Sequence, residues 1–408
     1  MGFLICCLLS LPATGLASKQ LQTMRHNAEV LGAVFNDDQI KILSYSSDGT
    51  ARLWDAATCG PAGPPLRHQG ALGDAVFNDD ESLILTYSDD GTARLWDAGT
   101  GKPVIPPLRH QGALGGAEFV NDETQILTYG EDGAIRLWDA ETGEEAMAPL
   151  RHQGAVGGAV FNDDETMILS YSEDGTARLW DVESGEQAIE PLRHQDSVGG
   201  AEFNSDETEI LTYSDDGAAR LWDVETGERI GEPMRHQGVV GGAFFHNDES
   251  EVITYGDDGA VRWWDAETGA PVGPALIHQG AVGDVIFNND QSLILTYSED
   301  RTARLWDART RRPHGKPFRH QGPIGEAYFF AGGTMVLTYS ADRTARFWDV
   351  ATGRPIGDAI KHQGAIEGIE FAKSGAVLMT YSSDRTIRLW DISDVRDRKL
   401  GARIKRIC

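Results

Sequence analysis

The sequence predicts an all-β fold assembled from nine copies of one small antiparallel sheet, and three observations support this. The dipeptide Trp-Asp recurs every 42 residues, with its tryptophans at Trp54, Trp96, Trp138, Trp180, Trp222, Trp264, Trp306, Trp348 and Trp390. A histidine recurs with the same period, at His26, His68, His110, His152, His194, His236, His278, His320 and His362. Between these markers, short runs rich in β-branched and aromatic residues alternate with polar, glycine-containing segments, as in strands joined by tight turns.

Each unit divides into four expected strands. The segments that read GAVF, ILTY and TARLW are the first three, and NDDE and SDDG are the turns between them. The fourth segment, with the pattern xPxGxPL, carries prolines and is expected at the sheet edge, because proline cannot donate to a ladder. One sheet of this size cannot bury both of its faces, so the nine units must stack on one another.

Over nearly its whole length, residues 18–408, the chain resembles the WD-repeat β-propeller family, as the Trp-Asp pairs and the periodic histidines show. The resemblance implies a ring of four-stranded blades, with the repeat offset from the blade by one strand. It also implies a buried hydrogen-bonded tetrad in each blade, running from His through Ser or Thr and Asp to Trp. The nine sets are His26, Ser44, Asp48, Trp54; His68, Thr86, Asp90, Trp96; His110, Thr128, Asp132, Trp138; His152, Ser170, Asp174, Trp180; His194, Thr212, Asp216, Trp222; His236, Thr254, Asp258, Trp264; His278, Thr296, Asp300, Trp306; His320, Thr338, Asp342, Trp348; and His362, Thr380, Asp384, Trp390.

Nine uniform repeats predict a single closed ring of nine blades. A seven-bladed ring with two extra blades is the alternative, but it would leave apolar faces uncovered. Two segments, Lys19 to Met24 and Leu400 to Lys405, both resemble the outer strand that closes such a ring, and one of them is expected to be spare.

The tetrads are expected to be structural. A His, an Asp and a hydroxyl at close quarters also suggest nucleophilic catalysis, but nine identical catalytic sites in one ring are implausible. The four polar groups satisfy one another when buried, which is what an interior requires. A tyrosine that follows each Ser or Thr, from Tyr45 to Tyr381, is expected to fill the wedge between blades, and an arginine two residues before each tryptophan is expected to pair with carboxylates.

Composition excludes several functional classes. The formal net charge of −27 disfavours nucleic-acid binding, because phosphates would be repelled. No apolar run approaches the length of a membrane-spanning helix. Cys59 and Cys408 are expected to be lone, and the sequence has no zinc-ligand spacing, so no metal or cofactor is predicted.

Residues 1–17 are uncharged and mostly apolar, and they end in a small-x-small pattern typical of a cleavage site. They are interpreted either as a signal-like leader or as a misassigned start, because a positive amino-terminal region is missing. The protein is accordingly expected to be cytoplasmic, or exported if this segment is a true signal peptide.

Two groups of residues are candidates for binding. Acidic side chains lie six or eight positions after the histidine, on the expected innermost strand, at Asp74, Glu118, Glu202, Asp284, Glu326 and Glu370. They are expected to face or flank the central channel, where converging like charges would attract a cation or a basic peptide. A basic cluster in the seventh unit contains Arg309, Arg311, Arg312, His314 and Lys316, and it is either a solvated surface or a contact for an acidic partner or another copy's acidic rim.

These observations leave three functional classes. The first is a non-catalytic scaffold that binds one or more proteins, which follows from the resemblance and from the lack of a catalytic constellation. The second is an exported propeller that binds a small ligand or a cation in an acidic central channel. The third, an enzyme with a site at the channel mouth, is the least favoured. Trp263, Tyr328, Phe244 and Phe330 interrupt the repeat, and core filling is expected for each.

Overall fold

A computed structural model describes residues 23–397 and 404–408 of the protein. The all-β prediction is confirmed: this part of the chain forms nine antiparallel sheets, one for each repeat, and a single short helix at Ser393–Arg396. No helix in these residues has the length and apolar content needed to cross a bilayer. The expected leader, residues 1–17, lies outside the described residues.

Each blade has an inner, a second, a third and an outer strand, in that order across the sheet. The inner strands are Val30–Phe35, Leu72–Phe77, Leu114–Val120, Val156–Phe161, Val198–Phe203, Val240–His246, Val282–Phe287, Ile324–Phe330 and Ile366–Phe371. The second strands are Lys41–Ser46, Leu83–Ser88, Gln125–Gly130, Met167–Ser172, Glu209–Ser214, Glu251–Gly256, Leu293–Ser298, Met335–Ser340 and Val377–Ser382.

The third strands, which carry the tryptophans, are Thr50–Asp55, Thr92–Asp97, Ala134–Asp139, Thr176–Asp181, Ala218–Asp223, Ala260–Asp265, Thr302–Asp307, Thr344–Asp349 and Thr386–Asp391. The outer strands of the first eight blades are Leu66–Arg67, Leu108–Arg109, Leu150–Arg151, Leu192–Arg193, Arg229–Arg235, Leu276–Ile277, Phe318–Arg319 and Pro355–Lys361. The ninth blade takes Met24–Arg25 and Lys405–Arg406 on the outside of its third strand.

The hydrophobic core lies between the blades. In the second strand of blade two, Ile84, Leu85 and Thr86 are all buried, as expected for a strand covered on both faces. Leu85 and Leu95 of that blade pack in one cluster with Ile126 and Trp138 of blade three. Equivalent clusters recur around the ring, so each blade is stabilised by burying apolar surface against its neighbours.

Closure into one ring of nine blades follows from the contacts between the two ends of the array. The inner strand Val30–Phe35 contacts the inner and second strands of the ninth blade. One cluster contains Ile42 and Trp54 from the first blade together with Met379 and Leu389 from the ninth. The alternative of seven blades with two uncovered extras is therefore not adopted.

The expectation that one terminal segment would be spare was wrong. Met24 and Arg25 pair with Ile387 and Thr386, whereas Lys405–Arg406 pairs with Asp391 and Trp390 at the other end of the same strand. In the fifth blade a continuous outer strand contacts both of these positions, with a register shift between them. Because the outer strand consists of two short pairing stretches, two separate chain segments can fill them. Each terminus supplies one half.

The expectation that Cys59 and Cys408 are lone was also wrong, because they form a disulfide. Cys59 lies in the turn after the third strand of the first blade, and Cys408 follows the carboxy-terminal outer strand. They are 349 residues apart in sequence, and closure of the ring brings them together. The first and ninth blades are therefore joined by packing, by strand pairing and by a covalent bond.

Candidate functional sites

The nine tetrads form one hydrogen-bonded chain repeated around the ring. In the fourth blade the Trp180 indole N–H donates to Ser170 Oγ over 2.8 Å, and Ser170 Oγ lies 2.8 Å from His152 Nε2. His152 Nδ1 in turn lies 3.2 Å from Asp174 Oδ2. The indole-to-hydroxyl bond recurs in all nine blades, at 2.7–2.9 Å.

The order of groups differs from the one that the resemblance implied. The chain runs from Trp to Ser or Thr, then to His and finally to Asp, so the tryptophan contacts the hydroxyl and not the carboxylate. Pairing of Ile168 with Trp180 places the indole beside Ser170. The aspartate instead lies in the turn between the second and third strands, where Asp174 accepts hydrogen bonds from the backbone N–H groups of Gln153 and Thr176.

Sequence reasoning missed a fifth member of this chain. Thr176 Oγ1 lies 2.5 Å from Asp174 Oδ1 and 3.3 Å from His152 Nδ1, and Thr50, Thr92, Thr302, Thr344 and Thr386 make the same two contacts. In blades three, five and six an alanine stands there, and the nearby arginine contacts the histidine instead. The signal was available, since a threonine stands two residues after the tetrad aspartate in six of the nine units.

The expected arginine–carboxylate pairs involve the tetrad aspartates. Arg220 Nη2 lies 2.8 Å from Asp216 Oδ2, and equivalent pairs occur in seven further blades. In the eighth blade Arg346 donates to Thr344. Each arginine therefore extends the tetrad toward the surface.

Burial lowers the pKa of eight of the nine tetrad histidines, which are therefore neutral near neutral pH, and the tetrad aspartates are charged. Burial lowers the pKa of His26, His152, His194 and His278 to about 4. Burial alone would raise the pKa of Asp90, but hydrogen bonds from Gln69, Thr92 and His68 outweigh it and lower the pKa to about 2. The hydroxyl residues are fully buried, so no substrate can reach them as nucleophiles.

The six acidic candidates divide into two sets of three. Asp74, Asp284 and Glu326 lie directly opposite a tyrosine of the second strand, at Tyr87, Tyr297 and Tyr339. Each accepts a hydrogen bond from a tyrosine hydroxyl, and the Tyr339 Oη to Glu326 Oε2 distance is 2.8 Å.

Glu118, Glu202 and Glu370 make up the second set. Glu370 Oε2 accepts from the Phe35 N–H of the next blade over 3.0 Å, and Glu202 accepts from the Phe245 N–H in the same way. Burial raises the pKa of both carboxyls to about 7. Glu118 is exposed. The six carboxylates belong to six different blades, and the described residues contain no group of three or more His, Cys, Asp or Glu side chains arranged to hold a metal ion.

The basic candidates differ in exposure. Arg312 and His314 are exposed, but Arg311 turns into the wedge between blades six and seven. Its guanidinium carbon lies 4.2 Å from the centroid of the Trp263 ring, and its Nη1 donates to the Val272 carbonyl. Trp263 itself is buried in the core between those blades, in line with the core-filling expectation.

We expect acid to unfold the ring below about pH 6. His26, His152, His194 and His278 stay neutral in the fold down to about pH 4, whereas the unfolded chain protonates them near pH 6.5. The free energy of unfolding therefore falls as the pH drops through this window, by up to about 1.4 kcal/mol per histidine for each pKa unit. Glu202 and Glu370 act in the opposite sense, because their raised pKa values add stability as the pH falls from about 7 toward 4.5.

Thermal unfolding between pH 4 and 8 tests this balance. The four histidines with a pKa of about 4 outnumber the two glutamates with a raised pKa, so the destabilising contribution of the histidines is the larger one. The melting temperature should therefore change little near pH 7 and decline at lower pH. A Glu202→Gln, Glu370→Gln variant serves as control and should lose stability more steeply as the pH falls below about 7, because the opposing contribution of the two carboxyls is removed. A constant melting temperature down to pH 5 would contradict the assignment of neutral, buried histidines.

Comparison with known proteins agrees with this geometry. The family model described as WD domain, G-beta repeat matches residues 18–55, 66–97, 147–181, 188–223, 276–307 and 353–391, more than half of the chain. A computationally designed protein, Ika8, has a similar crystal structure, with a TM-score of 0.58 at 22% identity, covering 91% of this chain and 99% of its own. None of the curated proteins compared with the sequence matches it significantly. With nine Trp-Asp blades, nine hydrogen-bonded tetrads and this family match, the chain belongs to the WD-repeat family of β-propellers.

Proposed function

We propose that the protein is a non-catalytic scaffold that binds one or more other proteins. Members of its family usually act through protein interactions. The observation that carries the proposal is the distribution of repeat-specific side chains over the two rims of the ring. One rim holds the histidine loops and the turns between second and third strands, and is called the histidine rim. The other holds the turns after the inner strands and after the Trp-Asp pairs, and is called the Trp-Asp rim.

The histidine rim has few side chains that could anchor a partner. Positions three and five after the histidine are mostly Ala and Gly, as in Ala71 and Gly73, and charged side chains occur there only in the first and ninth repeats. The tyrosines explain the small residues. A Cβ at Gly73 would lie 2.0 Å from the Tyr87 ring, and one at Gly32 would lie 2.2 Å from the Tyr45 ring. Each tyrosine therefore needs a glycine at position five or six, which favours a smooth rim.

The Trp-Asp rim carries the variation instead. Its loops differ in charge and size from blade to blade, as in Glu141, Glu144 and Glu145 of the third blade against Arg309 and Arg312 of the seventh. These residues are exposed or only partly buried. Charged, individually different loops on a rigid ring suit selective recognition, since function in such folds lies in surface sites.

A ring with nine identical consensus repeats is the matched control for this proposal. It keeps the tetrads and the blade cores but replaces every repeat-specific residue. In affinity capture with quantitative mass spectrometry, the natural ring should retain a defined protein that the consensus ring does not. Identical captured sets from two folded rings would contradict a scaffold role, as would turnover of a small-molecule substrate by the natural ring alone.

The alternative, an exported propeller that binds a small ligand or a cation in its channel, has mixed support. The carboxylates that would form the site are engaged by tyrosine hydroxyls or backbone N–H groups in five of the six positions. The disulfide does favour export, because disulfides persist mainly in oxidising compartments. An exported scaffold is consistent with both observations.

A further inference from the structure

We propose that the cleft between blades six and seven on the Trp-Asp rim is a docking site for an acidic peptide segment of a partner protein. The proposal rests on the scaffold function above and assigns to it a site and a partner chemistry. The cleft has a volume of about 430 Å³ and is lined by residues of both blades, including His246, Glu251, Trp263, Phe287, Arg309 and Arg311.

Arg311 occupies a position that is glycine in six other repeats. The equivalent residues are Gly101, Gly143, Gly185, Gly227, Gly269 and Gly353, all with φ near +70°, and Arg311 adopts the same left-handed conformation at φ 54°. Two further repeats lack glycine there: the first has Cys59, at φ 56°, which forms the disulfide, and the ninth has Val395 in the short helix. Glycine would adopt this conformation without strain, so the contacts of the Arg311 side chain must offset the strain.

Further departures from the repeat meet Arg311 in the same cleft. Trp263 replaces the leucine found at this position in seven repeats, and its ring lies under the Arg311 guanidinium. His246 replaces the asparagine found in five repeats, and its ring stacks on Phe287 with centroids 4.7 Å apart. Each of these changes alone could fill the core. Three of them, Arg311, Trp263 and His246, meet in one cleft, which indicates a binding site.

The wedge between blades six and seven also lacks a contact that joins the blades in three other wedges. In blades one to three, a glutamate from the next blade binds an asparagine of the preceding one, as in Asn36 Nδ2 to Glu81 Oε2 at 2.7 Å and Asn78 Nδ2 to Glu123 Oε2 at 2.9 Å. Asn162 and Glu207 make the same contact at 3.1 Å. The equivalent positions between blades six and seven hold His246 and Gln291, both of which line the cleft.

The positive charge of the loop beside the cleft favours an acidic partner. Arg309, Arg312, His314 and Lys316 are exposed along the loop that forms one wall of the cleft. Arg311 donates to the Val272 carbonyl, and its Nη2 lies 3.9 Å from Glu251 Oε2, so its side chain forms part of the cleft wall. The exposed cations of the loop are therefore the ones that contact the partner. A row of cations suits an extended acidic segment better than a small ion. The first 300 residues have an excess of 36 negative charges, so such a segment is repelled elsewhere and directed to this region.

The probe is a fluorescein-labelled, glutamate-rich peptide of about twelve residues with one central tyrosine, followed by fluorescence anisotropy. We expect saturable binding that weakens about tenfold or more when Arg309→Glu and Arg312→Glu are combined. Lys102→Glu is the matched control, because Lys102 holds the position of Arg312 in the second repeat, and it should change affinity less than about twofold. Raising salt from about 50 to about 200 mM should weaken binding.

Arg311→Gly tests whether Arg311 acts in peptide binding or only in folding. Glycine is the residue at this position in six other repeats, so the variant is expected to fold. It should bind the peptide more weakly while its melting temperature is equal to or above that of the natural protein. Absence of saturable binding, equal losses in the Lys102→Glu control, or equal affinity for a poly-uridylate of the same charge would overturn the acidic-peptide site. If the natural ring still captures a protein that the consensus ring does not, the scaffold function survives that failure.

Discussion

Cys408→Ser is expected to lower the free energy of unfolding of the ring by about 2–5 kcal/mol, because it removes the bond between the first and ninth blades. A cross-link between residues 349 apart strongly restricts the unfolded chain. The same substitution also releases the end of the outer strand Lys405–Arg406, which pairs with Trp390 and Asp391. Both effects act on the one interface that joins the two ends of the array.

Denaturant unfolding of the oxidised protein and of variants measures this effect. Reductant should shift the natural protein to the midpoint of Cys408→Ser and leave the variant unchanged. Cys59→Gly gives a sharper comparison, because Cys59 has φ 56° and glycine adopts that conformation without strain. It should lose about 1 kcal/mol less than Cys408→Ser. If reductant leaves the natural midpoint in place, the disulfide does not hold the ring closed.

Trp180→Ala is expected to cost about 3–5 kcal/mol of stability without removing any specific binding. The indole is buried in the core between blades three and four, against Leu127, Ile135 and Leu137. Its loss leaves a cavity and also removes the donor to Ser170 Oγ. Because two blades share this core, the damage affects the interface as well as the blade.

Two controls separate the contributions of packing and hydrogen bonding. Trp180→Phe keeps much of the ring but has no N–H, so it should cost about 1–3 kcal/mol less than the alanine variant. Trp96→Ala, the same change in the second blade, should cost about as much as Trp180→Ala. Loss of partner binding at an unchanged melting temperature would instead make this tetrad part of a functional site.

The binding candidates were less predictable than the tetrads. Arg311 and Arg312 are adjacent in sequence, yet one turns into a wedge and the other faces solvent. The direction of Arg311 depends on Trp263, which is 48 residues earlier and in another blade. Asp74 and Glu118 occupy inner strands as expected, but the hydrogen bond from Tyr45 to Asp74 crosses between blades and has no local signal in the sequence.

By itself, the sequence determined the repeating unit, the number of blades and the members of each tetrad. These features are local, because the inner, second and third strands and the tetrad of every blade lie within one 42-residue period, and the pattern recurs nine times. Only the tertiary structure decided the order of the tetrad hydrogen bonds, the sharing of one outer strand by both termini, the Cys59–Cys408 bond and the cleft beside Arg311. The order of the bonds depends on how neighbouring strands pair, and the other three depend on contacts between different blades or between the chain ends. Such contacts leave no periodic trace in the sequence, because they exist only once the ring has closed.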